Sequence, residues 1–144
     1  MARRVRNSVY IEWAKTLSQS KFNLATSGVM HYPLSALGIS VDQIELSGPS
    51  FYGYQPLQES LAKKCDVRPQ NVVAAIGTSM ANHLAMAALV EPGDEVLIEA
   101  PAYDPLLATA EYLGATVKRF ERKAADGFRI DPQAIDDAVS SRTR

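Results

Sequence analysis

The sequence is poor in the residues and segments that mark several protein classes. Its 144 residues include a single cysteine, Cys65, which excludes an intrachain disulfide and leaves no cysteine pair with the spacing of a zinc site. No run approaches the ~18 apolar residues that a membrane helix needs. No apolar segment follows the basic N-terminal residues, as it would in a signal peptide. We therefore expect a cytoplasmic protein with no membrane partner.

An excess of charge of one sign is also missing. Fifteen Lys and Arg residues balance sixteen Asp and Glu residues, for a formal charge of −1. A domain that binds nucleic acid needs a basic surface, so no nucleic-acid partner is expected. The sequence also lacks the G-x-G-x-x-G pattern of a dinucleotide site and the G-K-[ST] pattern of a P-loop, which disfavours those kinds of nucleotide binding.

What the sequence does contain is an alternation of strand and helix patterns. Before about residue 45 there is one amphipathic helical pattern with Ser8 as its N-cap, followed by an irregular stretch rich in Ser, Gly and Pro. The predicted strands are residues 72–76, 95–99 and 116–120. The helices after them start near Met80, Leu106 and Asp131, and another starts near Pro56. This alternation predicts an α/β fold, with a parallel sheet between two layers of helices.

The helical periodicity also predicts which side chains are buried. Residues expected to face the core are Ala81, Leu84, Ala85 and Ala88 in one helix and Ile135, Ala138 and Val139 in the last helix. Cys65 is expected to be a small buried apolar residue. Gly114 is placed as the residue that follows the end of the helix that starts near Leu106.

Two loops are expected at one edge of the sheet, because the carboxyl ends of parallel strands lie together and ligands bind beyond them. Gly77, Thr78 and Ser79 follow the first predicted strand and open a helix. The free N–H groups and positive dipole end of that helix suit a phosphate. Tyr103 follows the next strand and places an aromatic ring at the same edge. Together these loops indicate a planar phosphorylated ligand.

Each feature alone has a simpler interpretation. Gly-Thr-Ser between a strand and a helix is also an ordinary helix start. A single tyrosine such as Tyr103 often packs with its hydroxyl in water. From these residues alone, a non-catalytic domain that binds a phosphorylated ligand or a protein partner stays open beside an enzyme.

Six short motifs follow one another along the chain. They are Tyr52-Gly53-Tyr54-Gln55-Pro56-Leu57, Gln70-Asn71-Val72-Val73, Gly77-Thr78-Ser79-Met80-Ala81, Glu91-Pro92-Gly93-Asp94-Glu95-Val96, Pro101-Ala102-Tyr103 and Gly114-Ala115. Their order and spacing resemble the N-terminal part of class I/II aminotransferases, pyridoxal-phosphate enzymes of fold type I that are similar to aspartate aminotransferase. The Pro-Gly-Asp-Glu-Val stretch is the most recognisable of them.

The resemblance implies a cofactor, pyridoxal 5′-phosphate, and residues that hold it. Gly77, Thr78 and Ser79 match the first contacts to the cofactor phosphate, and Tyr103 matches the aromatic residue that stacks on the pyridine ring. Tyr52 corresponds to a tyrosine that reaches the cofactor phosphate of the neighbouring subunit, with a packing role as the alternative. The resemblance therefore implies a homodimer.

The resemblance also implies the substrates and the domain organisation. Ser27 and Gly28 match the glycine loop that approaches the substrate carboxylate, in an N-terminal arm and small-domain segment over residues 1–45. Residues 46–144 would be the N-terminal part of the large domain. The implied reaction moves an amino group between an amino acid and a 2-oxo acid, and a lyase or synthase of the same fold is the alternative.

The family's remaining catalytic groups match no residue of this sequence. These groups are the Schiff-base lysine, the aspartate at the pyridinium nitrogen, the asparagine at the cofactor oxygen and the substrate-carboxylate arginine. The resemblance thus implies an N-terminal portion of the enzyme with no catalytic residue of its own. We expect these 144 residues alone to be inactive.

Overall fold

The structure is a computed structural model that describes residues 8–17, 20–24, 31–48 and 53–144. Of the predicted site residues, Ser27, Gly28 and Tyr52 lie outside the described residues. The chain divides into two compact units, one formed by residues 1–21 and 76–144 and the other by residues 22–75. The division at residues 45 and 46 that the resemblance implied stays a prediction.

The unit of residues 22–75 is built around helix α2, Gln55–Cys65. Pro56 lies in its first turn, as predicted, and Ala62 is buried. Short 3₁₀ turns cover Leu34–Leu37, Val41–Gln43 and Pro69–Asn71. The expectation that Cys65 is buried is wrong, because this last residue of α2 is exposed.

The strand predicted over residues 72–76 is also wrong, because the structure has irregular backbone there. Val72 donates its N–H to the Pro69 carbonyl at 3.0 Å and accepts a hydrogen bond from the Gln58 side chain at 2.9 Å. The side chain of Val73 is 75% exposed, and that of Ile76 is 96% exposed. Local groups thus take both backbone hydrogen bonds of Val72, the first residue of the run.

The other unit contains the parallel sheet. Strand β1, Glu95–Ala100, pairs in parallel with strand β2, Thr116–Glu121, from Glu95 opposite Thr116 to Ala100 opposite Glu121. On the other edge of β1, the Glu95 N–H donates to the Arg142 carbonyl at 2.9 Å and the Arg144 N–H donates to the Glu95 carbonyl at 3.0 Å. Residues 142–144 therefore lie beside β1 on the edge away from β2, in a parallel bridge. Two of the three predicted strands are confirmed.

The described residues of this unit form four α-helices. They are α1, Val9–Thr16; α3, Gly77–Leu89; α4, Asp104–Tyr112; and α5, Pro132–Ala138. Val96 and Ile98 of β1 form the core with Ala110 of α4, and Met86 of α3 packs against them. Lys118 follows Val117 on β2 and so points to the opposite face, where its ammonium donates to the Ala138 carbonyl of α5 at 3.2 Å. Helices thus cover both faces of the sheet, and the predicted α/β class with three layers is confirmed.

The buried face of α3 differs from the predicted one. Leu84 is 43% exposed, and Ala81, Ala85 and Ala88 are exposed as well. The half-buried face is formed by Asn82, His83 and Met86. The helix is apolar around most of its circumference, so periodicity does not distinguish one face from another. In α5, Ile135 and Ala138 are half-buried as predicted, but Val139 ends the helix and is 51% exposed.

The helix ends predicted at Ser8, Asp131 and Gly114 are confirmed. The Ser8 hydroxyl accepts from the Ile11 N–H at the start of α1, and the Asp131 carboxylate accepts from the Gln133 N–H at the start of α5. After α4, Gly114 has φ +88°. The N–H groups of Gly114 and Ala115 bond to the carbonyls of Glu111 and Ala110, which is a Schellman motif.

Glu95 ties the start of β1 to its neighbours. Its side chain is 3% exposed and forms ion pairs with Lys118, at 2.8 Å, and with Arg142. The Ser140 hydroxyl also donates to this carboxylate. Hydrogen bonds from Lys118, Ser140 and Arg142 lower the pKa of Glu95 from 4.5 to about 2, against the opposing effect of burial. The charged form of Glu95 therefore fixes residues 140–142 to the sheet.

Candidate functional site

The carboxyl end of β1 lies where ligands bind in α/β sheets. The chain runs from β1 through α4 to β2 on one side of β1, and residues 142–144 then return on the other side. The direction in which the chain crosses the sheet therefore reverses at β1. Ligands bind in the crevice beyond the carboxyl ends of strands at such a reversal. The segment that follows β1 contains Tyr103, the residue just before α4.

Two residues that the sequence placed at this edge come together in the structure. The Ser79 hydroxyl lies 3.5 Å from the Tyr103 hydroxyl, and either oxygen can donate the proton. Ser79 is in the first turn of α3, whereas Tyr103 precedes α4. The two loops therefore share one rim of the sheet. Both residues are exposed, Tyr103 to 38%, so both are accessible to a ligand.

The start of α3 presents unpaired donors at this rim. Ile76 precedes the helix, and no side chain caps the first turn. The first N–H groups of an α-helix have no partner within the helix, so they are available to an anion. Gly77 has φ +79°, and a Cβ there would meet no atom within 4 Å in the described residues beyond its chain neighbours and the backbone of α3. Together with the exposed hydroxyls of Thr78 and Ser79, this turn offers backbone and side-chain donors to a phosphate.

Helix α1 contributes contacts at the same rim that the sequence did not predict. The rings of Tyr10 and Tyr103 have centroids 5.9 Å apart and planes at 81°, an edge-to-face arrangement. The Ser8 hydroxyl donates to the Asp104 carboxylate, 96 residues away in the sequence. The spacing of apolar residues in α1 predicts that one face of the helix is packed. It does not predict which distant residues that face contacts.

Four of the predicted site residues lie in the described part of the chain, whereas Ser27, Gly28 and Tyr52 do not. The rim beyond β1 contains all four of them, Gly77, Thr78, Ser79 and Tyr103, as predicted from the sequence.

No group of three or more His, Cys, Asp or Glu side chains within the described ranges could hold a metal ion. In the same part of the chain, no helix has the length and apolarity to cross a membrane.

Comparison with known proteins gives a consistent family. The model for "Aminotransferase class I and II" matches residues 21–144. Capreomycidine synthase from Streptomyces vinaceus is 34% identical over 137 residues, which is 88% of this chain and 35% of that protein. Histidinol-phosphate aminotransferase from Methanocella arvoryzae is 32% identical over 105 residues, 73% of this chain and 26% of that protein.

A solved structure gives the same result for the fold. A single mutant of the aspartate aminotransferase of Thermus thermophilus superposes with a TM-score of 0.63 at 28% identity, over 65% of this chain and 26% of that chain. The chain thus spans about a quarter to a third of the length of the relatives it matches.

Proposed function

The chain belongs to the family of class I and II aminotransferases, and from that premise we propose that it forms the phosphate and ring contacts of a pyridoxal 5′-phosphate site. The proposed parent reaction moves an amino group between an amino acid and a 2-oxo acid. Bound pyridoxal phosphate supplies an electron sink for the carbanion that forms at the amino acid's α-carbon.

The observation that carries the proposal is the 3.5 Å approach of Ser79 to Tyr103 beside the start of α3. A phosphorylated pyridine needs anion donors and a flat apolar surface within the length of one small molecule. Ser79 and Tyr103 place a hydroxyl and a ring at that separation. The donors at the start of α3 and the strand reversal at β1 support the same location.

Each residue then has a defined task. The hydroxyls of Thr78 and Ser79, with the first N–H groups of α3, bind the phosphate. Gly77 leaves open space beside it, since its Cβ position meets no tertiary neighbour within 4 Å in the described part of the chain. The Tyr103 ring lies against one face of the pyridine, fixes its orientation and excludes water from that face.

Three further assignments rest on the family alone. Ser27 and Gly28 would approach the substrate carboxylate, and Tyr52 would reach the cofactor phosphate of the neighbouring subunit of a homodimer.

We assign no lysine of the chain to the bond with the cofactor. Lys118, for example, is occupied by Glu95 and the Ala138 carbonyl. The protein is proposed to act in the cytoplasm.

The similarity to capreomycidine synthase favours a second candidate. This relative aligns over 88% of the chain, so a synthase that uses the same cofactor site and needs no amino acceptor is the alternative. The two candidates differ in one requirement. An aminotransferase converts its amino acid only while a 2-oxo acid takes up the amino group, whereas a synthase converts it without one.

The experiment uses these 144 residues within a full-length protein that also supplies the lysine and the other catalytic groups that match no residue here. The protein is given pyridoxal phosphate and a panel of amino acids, with and without 2-oxoglutarate. We expect cofactor binding and conversion that depends on the 2-oxo acid. Conversion without the acceptor would favour the synthase. Binding without conversion of any panel member would favour a non-catalytic phosphate-ligand domain.

A matched pair of variants tests the site itself. Tyr103→Ala removes the ring beside Ser79, and Tyr112→Ala removes another exposed tyrosine, at the far end of α4. Because an aromatic contact adds about 0.5–1.5 kcal/mol, Tyr103→Ala should weaken cofactor binding roughly 2- to 12-fold. Equal affinities of the two variants would contradict the assignment of Tyr103.

A further inference from the structure

We infer that helix α1 is a positioning element for the cofactor site and that Tyr10 sets the plane of the Tyr103 ring. The inference rests on the proposed function, in which Tyr103 lies against the cofactor. It adds a residue outside the loops at the sheet edge and assigns the N-terminal helix a task in the site. Two contacts carry it, from Tyr10 to Tyr103 and from Ser8 to Asp104.

The first contact acts on the ring itself. The 81° angle and 5.9 Å separation of the Tyr10 and Tyr103 rings are those of a favourable edge-to-face pair. Such a contact occupies at most one face of Tyr103, and the residue keeps 38% of its surface exposed. The Tyr103 hydroxyl meets Ser79 at 3.5 Å, a long distance for a hydrogen bond. The hydroxyl contact alone is thus too weak to fix the ring plane, and the Tyr10 ring supplies a second restraint.

The second contact holds α1 in place beside α4. Ser8 caps α1 by accepting from the Ile11 N–H, and its hydroxyl donates to Asp104 in the first turn of α4. A hydrogen bond to a carboxylate is stronger than one between neutral groups. Since Ser8 and Tyr10 lie within one turn of the chain and contact adjacent residues, the start of α1 is attached to the start of α4 at two points.

Tyr10 is itself supported from within α1. The Trp13 ring lies one helical turn further on, with its centroid 6.4 Å from that of Tyr10. Tyr10 remains 43% exposed, so its replacement removes a surface contact and leaves the core of Val96, Ile98 and Ala110 intact. A change in the site can therefore be separated from a change in folding.

The test compares Tyr10→Leu, Tyr10→Phe and the control Tyr112→Leu in the full-length protein. Phenylalanine keeps the edge-to-face ring, whereas leucine removes it, and Tyr112 contacts His83 rather than Tyr103. The first measurement is ¹⁹F NMR of protein that contains 3-fluorotyrosine, with the Tyr103 signal identified by its absence in Tyr103→Phe. We expect Tyr10→Leu to shift that signal and Tyr112→Leu to leave it in place.

The second measurement is the affinity for pyridoxamine 5′-phosphate, followed by the ligand's fluorescence. We expect Tyr10→Leu to weaken binding about 2- to 10-fold, with Tyr10→Phe close to the unaltered protein. Thermal unfolding of each variant shows whether it is folded. If Tyr10→Leu does not fold, Ser8→Ala takes its place, since it releases α1 from Asp104 without removing a ring.

The outcomes separate this inference from the proposed function. If the unaltered protein binds pyridoxamine phosphate and Tyr10→Leu binds it equally well, Tyr10 does not position Tyr103 and the cofactor site stands. If the unaltered protein binds no pyridoxamine phosphate, the proposed function fails and Tyr10 loses its task in cofactor binding. An unchanged Tyr103 signal in Tyr10→Leu would refute the ring contact in either case.

Discussion

Replacement of Thr78 and Ser79 together by alanine tests the phosphate contacts most directly. Both side chains are exposed in the first turns of α3, so their truncation leaves no cavity. Alanine is also the best helix former, and α3 should persist. The variant thus removes two hydroxyl donors and keeps the backbone N–H groups of the same turn.

The expected loss follows from the number of donors removed. A hydrogen bond to a charged group contributes about 1.5–3 kcal/mol. The lower value applies here because the rim is open to water, so the two hydroxyls together contribute about 3 kcal/mol. That corresponds to a roughly 150-fold higher dissociation constant for pyridoxamine 5′-phosphate. The N–H groups of α3 should keep some binding in the double variant.

Two ligands distinguish a phosphate contact from a general disturbance of the site. Fluorescence titrations compare pyridoxamine 5′-phosphate with pyridoxamine, which lacks the phosphate. The double variant should lose affinity for the first and keep its affinity for the second. Ser60→Ala, which removes an exposed hydroxyl from α2, serves as the control. Equal losses for both ligands, or no loss for either, would refute the phosphate assignment.

Three further predictions concern the framework that holds the site. Ile98→Ala should lower the free energy of unfolding by about 2–5 kcal/mol in urea titrations, because Ile98 is 6% exposed in the core. Gly114→Ala should cost about 1–2 kcal/mol or more in the same assay, because φ is +88° and the new Cβ would lie 3.2 Å from Pro92. For Glu95, the stability gained from its lowered pKa is complete above pH 4.5 and is lost as the pH falls toward about 2. Urea midpoints measured across this range should show that loss, and Glu95→Gln should remove it.

Matched controls make these three results decisive. Val139→Ala, at a position 51% exposed, should change stability by less than about 0.5 kcal/mol. Gly127→Ala has φ +63°, which a residue with a Cβ tolerates better than +88°, and its Cβ position meets no tertiary neighbour within 4 Å among the described residues. It should therefore cost less than Gly114→Ala, which adds both a less favourable φ and the Pro92 contact. Glu121→Gln, at an exposed position, should retain the acid dependence. Each prediction fails if the variant behaves like its control.

Signals that act within a few residues predicted this fold well. The Asp131 cap, the Gly114 helix end and strand β1 depend on neighbours along the chain or on a strongly apolar run. The approach of Ser79 to Tyr103 was predicted from two parallel strands that end at one edge. The structure shows this approach although only the strand before Tyr103 forms.

Predictions that needed a distant partner were less successful. Residues 72–76 have a strand's composition, but a strand forms only when another strand accepts its hydrogen bonds, and the Val72 carbonyl bonds to Gln58. The face of α3 could not be chosen because nearly every face is apolar. The edge contact of Tyr10 with Tyr103 joins opposite ends of the chain, and no local pattern carries that information.

The two ends of β1 explain why the rim can remain open and still hold its geometry. At the start of the strand, Glu95 binds Lys118 of β2 and Arg142 of the segment on the other edge, so three neighbouring pieces of chain are fixed together. In the middle, Ile98 anchors the strand in the core. Only after Ala100 does the chain leave the sheet, and Tyr103 follows within three residues. The buried strand therefore fixes the backbone position of the exposed Tyr103. Its side chain can still rotate, and the contacts with Tyr10 and Ser79 restrain that rotation.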